Sequence, residues 1–116
     1  MDKIICNKLR EKIKGEVLTS NEFREFYSVD ASSYKIIPMA VVIPKNENDV
    51  INVMKIARKM RVSATVRGAG TGLVGSALND GIIIDMKNFK SIKIYEEHIT
   101  VGPGTVKGNL DKKLEE

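Results

Sequence analysis

Several residue types are scarce in this sequence, and each scarcity excludes a class of site. The chain has no tryptophan, one cysteine and one histidine, and aromatic residues make up only 5% of it. A single cysteine cannot form an internal disulfide, and Cys6 with a distant His98 suggests neither a metal cluster nor a catalytic pair. We therefore expect Cys6 to be a packed thiol, and no metal site.

Long apolar runs and long runs of one charge are also missing. No stretch approaches the roughly 18 apolar residues of a membrane span, and the first residues lack the apolar core of a signal peptide. The sequence therefore predicts no transmembrane segment and a cytoplasmic location. The net charge of +4 comes from lysines interleaved with acids, which with so few aromatics disfavours nucleic-acid binding but suits an anionic ligand.

What is present suits one small domain of 116 residues with a helical lead-in over residues 1–36. A helix is predicted over residues 2–14, with Asp2 as N-cap and Gly15 as the stop. A short helix capped by Ser20 and a loop over residues 30–34 follow. The first helix carries one apolar stripe, formed by Ile5, Leu9 and Ile13.

Residues 37–116 form the main predicted unit, which begins with a β-α-β unit over residues 40–67. Its first strand is a continuous apolar run bounded by Pro38 and Pro44, which indicates burial on both faces. Asn46 is the predicted N-cap of the helix, and the two strands are expected to be parallel with a right-handed connection. The helix has an apolar stripe of Val50, Val53, Met54, Ala57 and Met60.

The rest of the chain predicts strand 81–86, a hairpin turning at residues 96–97 with His98 in solvent, and a last helix. The fold class is therefore α+β, a small mixed α/β sheet with a βαβ unit followed by antiparallel strands. The last helix is expected to begin after a Thr105 cap and to carry Val106, Leu110 and Leu114 on one stripe. Because that stripe ends with the sequence, we expect an incomplete polypeptide that self-associates.

Residues 67–77, which contain four glycines, are the most informative stretch. They follow a predicted strand, where glycine lets the chain turn sharply and lets a ligand approach backbone N–H groups. Such groups can form a concave, partly positive cradle for an anion such as phosphate. The loop therefore predicts a phosphate-binding site at the carboxyl end of a strand, where ligands bind in open α/β sheets.

Three other interpretations compete for this loop. Gly70-x-Gly72-x-x-Gly75 matches the dinucleotide fingerprint, but the turn signal at residues 79–81 leaves no room for the helix that a nicotinamide Rossmann unit requires. A P-loop is excluded because no Gly-Lys-Ser/Thr follows the glycines. A glycine-rich hairpin connection without a ligand remains open, although four glycines exceed what a hairpin needs.

Several separated motifs, in their order, resemble the FAD-linked oxidases of the vanillyl-alcohol-oxidase/p-cresol-methylhydroxylase (PCMH-type) fold. The resemblance covers roughly residues 30–115 and is greatest to the glycolate oxidase and D-lactate dehydrogenase group. It implies that residues 37–116 are a first FAD-binding subdomain. The motifs are Asp30-x-x-x-Tyr34-x-x-x-Pro38, Ala40-Val41-Val42-x-Pro44, the glycine loop, Ile83-x-Asp85-Met86 and Val101-x-Pro103-Gly104.

The resemblance also implies which residues hold the cofactor, with the loop amides around the FAD pyrophosphate. No histidine occurs at residues 67–77, so a noncovalent flavin is expected there, and Ser76 stands where the family commonly has glycine. No catalytic residue can be named, because the family's substrate-side groups lie in a part that follows this one. The cofactor-binding residues implied are Pro44, Arg67, Gly68, Ala69, Gly70, Thr71, Gly72, Leu73, Gly75 and Ser76.

Two functional hypotheses follow. The first is the N-terminal FAD-binding portion of a flavin-dependent oxidoreductase acting on a small 2-hydroxy acid of the glycolate or D-lactate type. The resemblance implies hydride transfer to flavin N5, and a C-terminal region or second chain that completes the site, so this chain alone is expected to be inactive. The alternative is a noncatalytic nucleotide-binding or assembly module.

Overall fold

The computed structural model describes residues 2–116 and confirms the predicted mixed architecture. A four-stranded mixed sheet and a two-stranded antiparallel sheet are present. The elements in chain order are α1 (Asp2–Lys12), β1 (Glu16–Leu18), α2 (Asn21–Phe26), β2 (Ala40–Ile43), α3 (Glu47–Met60), β3 (Ala64–Arg67), β4 (Ile82–Asp85), β5 (Ile92–Ile94), β6 (Ile99–Val101) and α4 (Lys107–Glu115).

The larger sheet has the order β1-β2-β4-β3. Strands β2 and β3 are parallel, as predicted, but they are not neighbours, because β4 lies between them and pairs in parallel with both. The central position suits β4, whose residues Ile82–Asp85 are all buried, since a central parallel strand is covered on both faces. Strand β1 adds an antiparallel edge beside β2.

The main core lies between the sheet and the helices α1 and α3. Alternate strand residues point to one face because side chains alternate along a strand. The predicted stripe of α1 is confirmed, with Ile5 and Leu9 fully buried and Ile13 nearly so. The main cluster joins Ile5, Cys6, Leu9, Ile13, Ala40, Val42, Val53, Ala57, Ile82 and Ile84, and the opposite face carries a smaller cluster of Tyr27, Val41 and Ile83 with Leu18.

Helix α1 differs from its prediction at both ends. Asp2 is already inside the helix rather than capping it, and the helix ends at Lys12, two residues early. The early end has a physical cause, because the amides of Lys14 and Gly15 donate to the buried Asp49 carboxylate instead of continuing the helix. Gly15 itself allows close packing, since a Cβ there would lie 2.1 Å from the carbonyl oxygen of Ile43.

The Asn46 cap of helix α3 is confirmed by a 3.0 Å hydrogen bond in which its side-chain oxygen accepts from the Asp49 amide. Val53 and Ala57 are buried as predicted, whereas Met54 is 50% exposed, so its place on the stripe was wrong. Met54 lies about 100° around the helix from Val53, and Ile56 packs against the core in its stead.

The C-terminal hairpin is confirmed, with Ile92 opposite Val101 and the exposed His98 stacked 4.4 Å from Tyr95. Helix α4 begins at Lys107 with Val106 at the N-cap, so the prediction of Thr105 as cap was wrong by one residue. No α4 residue is fully buried. No helix in residues 2–116 is long and apolar enough to cross a membrane.

Candidate functional site

The glycine loop lies at the carboxyl end of the larger sheet. Residues 68–81 connect β3 to β4, and these two strands are parallel, so the interpretation of the loop as a hairpin connection was wrong. Parallel neighbours need a longer crossover than a hairpin turn. Residues 68–81 contain no helix, which agrees with the rejection of a nicotinamide Rossmann unit.

The loop backbone leaves its donors free. No N–H group of residues 68–76 donates a hydrogen bond to any residue within 2–116. Gly70 and Gly75 have left-handed backbones, with φ of 72° and 78°, whereas Gly72 has no positive φ. A run of unpaired N–H groups in such a loop is the donor set that an anion requires.

Two clefts adjoin the loop. The smaller, of about 240 Å³, is lined by Val66, Arg67, Gly68, Ala69, Gly70, Thr71, Gly72, Ser76 and Ala77. The larger, of about 650 Å³, runs from the loop to the start of α4, and four of its lining residues are the cations Arg67, Lys87, Lys90 and Lys107. Asp85 is its one acidic residue. The excess of positive charge favours an anionic ligand.

The predicted site residues divide into two groups in space. Seven of the ten line the smaller cleft. Pro44 is fully buried at the end of β2, where its carbonyl accepts from Asn88, and it lines neither cleft beside the loop. Leu73 is 77% exposed and Gly75 packs against Tyr34, and both lie outside the two linings.

Arg67 ends β3 and is 8% exposed. Its guanidinium donates to the carbonyl oxygens of Tyr27 at 3.3 Å and Val29 at 2.9 Å, and it lies 5.1 Å from the centre of the Tyr27 ring. The same group lies behind the loop, since a Cβ on Gly70 would be 2.3 Å from Nη2 of Arg67. Arg67 therefore joins the loop to the segment that follows α2.

Tyr27 and Asp85 form a buried pair on the floor of the larger cleft. The Tyr27 hydroxyl donates to Oδ2 of Asp85, and the Lys87 amide donates to Oδ1 at 3.0 Å. Burial raises the pKa of Tyr27, and the hydrogen bond to Asp85 raises it further. Tyr27 thus stays protonated and remains a donor across the neutral pH range.

Sequence reasoning missed the far wall of the larger cleft. That wall includes Lys87, Lys90 and the stretch from Pro103 to Lys107. The Pro103-Gly104 break was a usable signal, because it ends a strand near a second backbone: a Cβ on Gly104 would lie 2.3 Å from the Met86 carbonyl oxygen. Tyr27 carried no signal, because its contact with Asp85 joins residues far apart in the chain.

Comparison with known proteins identifies the family. The family described as "FAD binding domain" matches residues 38–116, well over half of the chain. The chain belongs to this family. FAD is accordingly its cofactor. The predicted relationship to PCMH-type flavoenzymes is confirmed.

The FAD-domain chain is similar to parts of much longer proteins. D-2-hydroxyglutarate dehydrogenase of Escherichia coli (strain K12) is 38% identical over 107 residues, covering 86% of this chain and 10% of that protein. Glycolate oxidase subunit GlcD of the same strain is 39% identical over 88 residues, covering 72% of this chain and 18% of that protein. The chain thus spans between a tenth and a fifth of the length of these relatives.

Solved structures agree on the fold. 6-Hydroxy-D-nicotine oxidase from Arthrobacter nicotinovorans has a TM-score of 0.76 at 25% identity, covering 87% of this chain and 23% of that one. Substrate-bound p-cresol methylhydroxylase has a TM-score of 0.77 at 19% identity, covering 97% and 24%.

The residues of the loop and cleft suit FAD. The unpaired amides of residues 68–76 and the lysines of the larger cleft match a pyrophosphate, and Gly68 leaves room for it. A Cβ on Gly68 would meet no atom closer than 3.9 Å. The Thr105 hydroxyl, which is buried without a partner in a residue that lines the larger cleft, offers a further polar contact. When bound, FAD supplies an acceptor for a hydride equivalent.

Proposed function

We propose that the loop of residues 68–76 holds the pyrophosphate of FAD noncovalently, with the larger cleft as the second wall. The N–H groups of residues 68–76 carry the proposal, because none of them has a partner within residues 2–116 and all of these residues are exposed or half-buried, so that an anion can reach them. Lys87 and Lys90 line the larger cleft and form no ion pair within residues 2–116. Their positive charges therefore favour the binding of the pyrophosphate. The single histidine, His98, stacks on Tyr95 in the hairpin, which supports noncovalent binding.

We further propose that the chain is the FAD-binding portion of an oxidoreductase acting on a small 2-hydroxy acid in the cytoplasm. The names of two relatives, D-2-hydroxyglutarate dehydrogenase and glycolate oxidase, support this substrate class. The match covers only 10% and 18% of those proteins, so groups that contact the substrate are proposed to lie in portions of them outside the match. We also propose two domains, a helical lead-in over residues 1–36 and a first FAD-binding subdomain over residues 37–116.

Titration of the chain with FAD tests the proposal. We expect saturable binding that weakens with salt, because cations and phosphate attract each other less as the solution is screened. The double variant Lys87→Gln, Lys90→Gln is expected to lower the affinity about tenfold and flatten the salt dependence. The double variant Lys112→Gln, Lys113→Gln, in the exposed last turn of α4, serves as the control of equal charge.

The FAD-loaded chain from this titration can also be tested for oxidation of a 2-hydroxy acid. Added glycolate or D-lactate is expected to leave the bound flavin oxidised, as followed by its visible absorbance. Bleaching of the flavin band by either acid would show that residues 2–116 contain a complete substrate site and would overturn that part of the proposal.

We also propose that the chain self-associates through α4. The exposed apolar residues at this helix also support the alternative hypothesis of a noncatalytic assembly module. Val106, the N-cap of α4, is 58% exposed, Leu114 within α4 is 47% exposed, and no residue of this helix is buried. Exposed apolar stripes of this kind mark interfaces. Sedimentation velocity is expected to show a concentration-dependent increase in mass, abolished by Val106→Glu with Leu114→Glu. A monomer at all concentrations would contradict the proposal.

A further inference from the structure

The back of the glycine loop is contacted by residues that precede the matched family domain. We call residues 27–34, between α2 and β2, the buttress segment. It lies outside the match to residues 38–116. Two contacts join it to the loop, one through Arg67 at the start of the loop and one through Gly75 near its end.

The first contact fixes the start of the loop. Two N–H groups of the Arg67 guanidinium donate to the carbonyl oxygens of Tyr27 and Val29, both in the buttress segment. The planar fork of an arginine can serve two carbonyls at once with a fixed orientation. Because Gly70 would place a Cβ 2.3 Å from Nη2, the guanidinium also occupies the space against which the left-handed Gly70 packs.

The second contact fixes the end of the loop. Gly75, also left-handed, packs against Tyr34, since a Cβ there would lie 3.1 Å from Cδ2 of Tyr34 and 3.8 Å from Oγ of Ser32. The two left-handed glycines of the loop thus each have a supporting side chain behind them, Arg67 for Gly70 and Tyr34 for Gly75.

The buttress segment is itself ordered by local hydrogen bonds. Oδ1 of Asp30 accepts from the Ser32 amide at 2.8 Å and from the Ser32 hydroxyl, which lowers the pKa of Asp30 and keeps it ionised. The segment is closed by the bridge between Val29 and Lys35 and by the 2.9 Å ion pair of Lys35 with Glu25. A segment tied in this way can act as a fixed support.

We infer that the buttress segment preorganises the glycine loop for FAD, with Arg67 and Tyr34 as positioning residues rather than ligands of the phosphate. Arg67 lines both clefts, but two of its guanidinium N–H groups are used on backbone carbonyls, and Tyr34 lines neither of the clefts beside the loop. The inference rests on the proposed binding of FAD by this loop. Preorganisation raises affinity because less ordering is left to occur on binding.

The test compares Arg67→Gln and Tyr34→Ala with matched controls remote from the loop. Arg24→Gln removes another arginine that donates to a backbone carbonyl, that of Pro38 at 2.7 Å. Tyr95→Ala removes another half-exposed tyrosine, 50% exposed against 60% for Tyr34. Amide order parameters of residues 68–76, measured by NMR relaxation without FAD, are expected to fall from about 0.85 to below about 0.6 in the two test variants only.

The second measurement is FAD affinity against salt. We expect about tenfold weaker binding in both test variants, with the salt dependence unchanged in Tyr34→Ala, which loses no charge, and flattened in Arg67→Gln by no more than in the single variant Lys87→Gln. A greater flattening in Arg67→Gln than in Lys87→Gln would show direct pairing with a phosphate and would overturn its positioning role, and unchanged order parameters in Tyr34→Ala would overturn the support by the buttress segment. Because Tyr34 is exposed, that variant decides even if Arg67→Gln fails to fold. If the parent chain does not bind FAD, the proposed function fails while the order parameters still test the inference.

Discussion

Replacing Gly68 by valine is expected to abolish FAD binding while the fold persists. Gly68 lines both clefts beside the loop, has no positive φ, and would give a Cβ no neighbour closer than 3.9 Å. The branched side chain therefore fits the free protein but occupies space that a pyrophosphate needs. Losing two charge-assisted contacts, at about 1.5–3 kcal/mol each, corresponds to at least a hundredfold in dissociation constant.

Gly70→Val and Gly108→Val serve as the comparison and the control for Gly68→Val. Gly70 is left-handed and packs against the Arg67 guanidinium, so valine there is expected to lose FAD binding and also about 1–3 kcal/mol of folding free energy. Gly108 lies in α4 with no atom within 4 Å of its Cβ position, so valine there should change neither property. Fluorescence titration with FAD and urea unfolding give the two readouts.

The comparison separates two roles of the glycines. If Gly68→Val binds FAD with the parent affinity, the cleft is not the FAD site, whatever Gly70→Val does. If Gly68→Val unfolds the chain, other protein atoms occupy the space beside residue 68 in solution. Gly68 would then be needed for packing rather than for FAD binding.

Local signals in the sequence predicted the elements well but could not predict how they are brought together. The prolines around β2, the Asn46 cap and the glycine loop each act over a few residues, and the structure places all three where expected. The insertion of β4 between β2 and β3 could not be read from the chain, because parallel direction is the same whether or not a strand lies between.

The site shows the same division. The loop residues were found because glycine carries a backbone signal, whereas Tyr27 and the buttress contacts depend on pairs 38 to 58 residues apart in sequence. The loop motif predicted Arg67 as a cofactor-binding residue, but it could not show that the guanidinium also donates to the backbone carbonyls of Tyr27 and Val29. The end of α1 was predicted two residues too late for a similar reason. The amides of Lys14 and Gly15 donate to Asp49, which lies in α3 and is far from them in sequence.

Asp49→Ala is expected to cost about 3 kcal/mol or more of folding free energy, a large share of the roughly 5–15 kcal/mol typical of a domain. Asp49 is 1% exposed and accepts from the amides of Lys14, Gly15 and Lys45, each at 2.8 Å. Alanine would leave these donors without a partner, and unpaired buried donors cost about 1–3 kcal/mol each. Glu47→Ala, an exposed acid in the same first turn of α3, is the control for lost helix-dipole charge.

The Asp49 contribution should also depend on pH with a definite sign. Burial alone would raise the pKa of Asp49, but the amides of Lys14, Lys45 and Gly15, together with the Lys14 charge, outweigh it and hold the pKa below its ordinary value. A carboxylate whose pKa is lower folded than unfolded stabilises the fold above the unfolded pKa of about 3.9, and that stability is lost as the pH falls through the folded pKa. Urea midpoints should therefore show a constant gap between parent and Asp49→Asn above about pH 5. The gap should narrow as the pH is lowered below about 4. A gap that stays the same from pH 7 to pH 3 would mean that ionised Asp49 does not hold the three amides, and that the junction of α1, β2 and α3 is stabilised by packing alone.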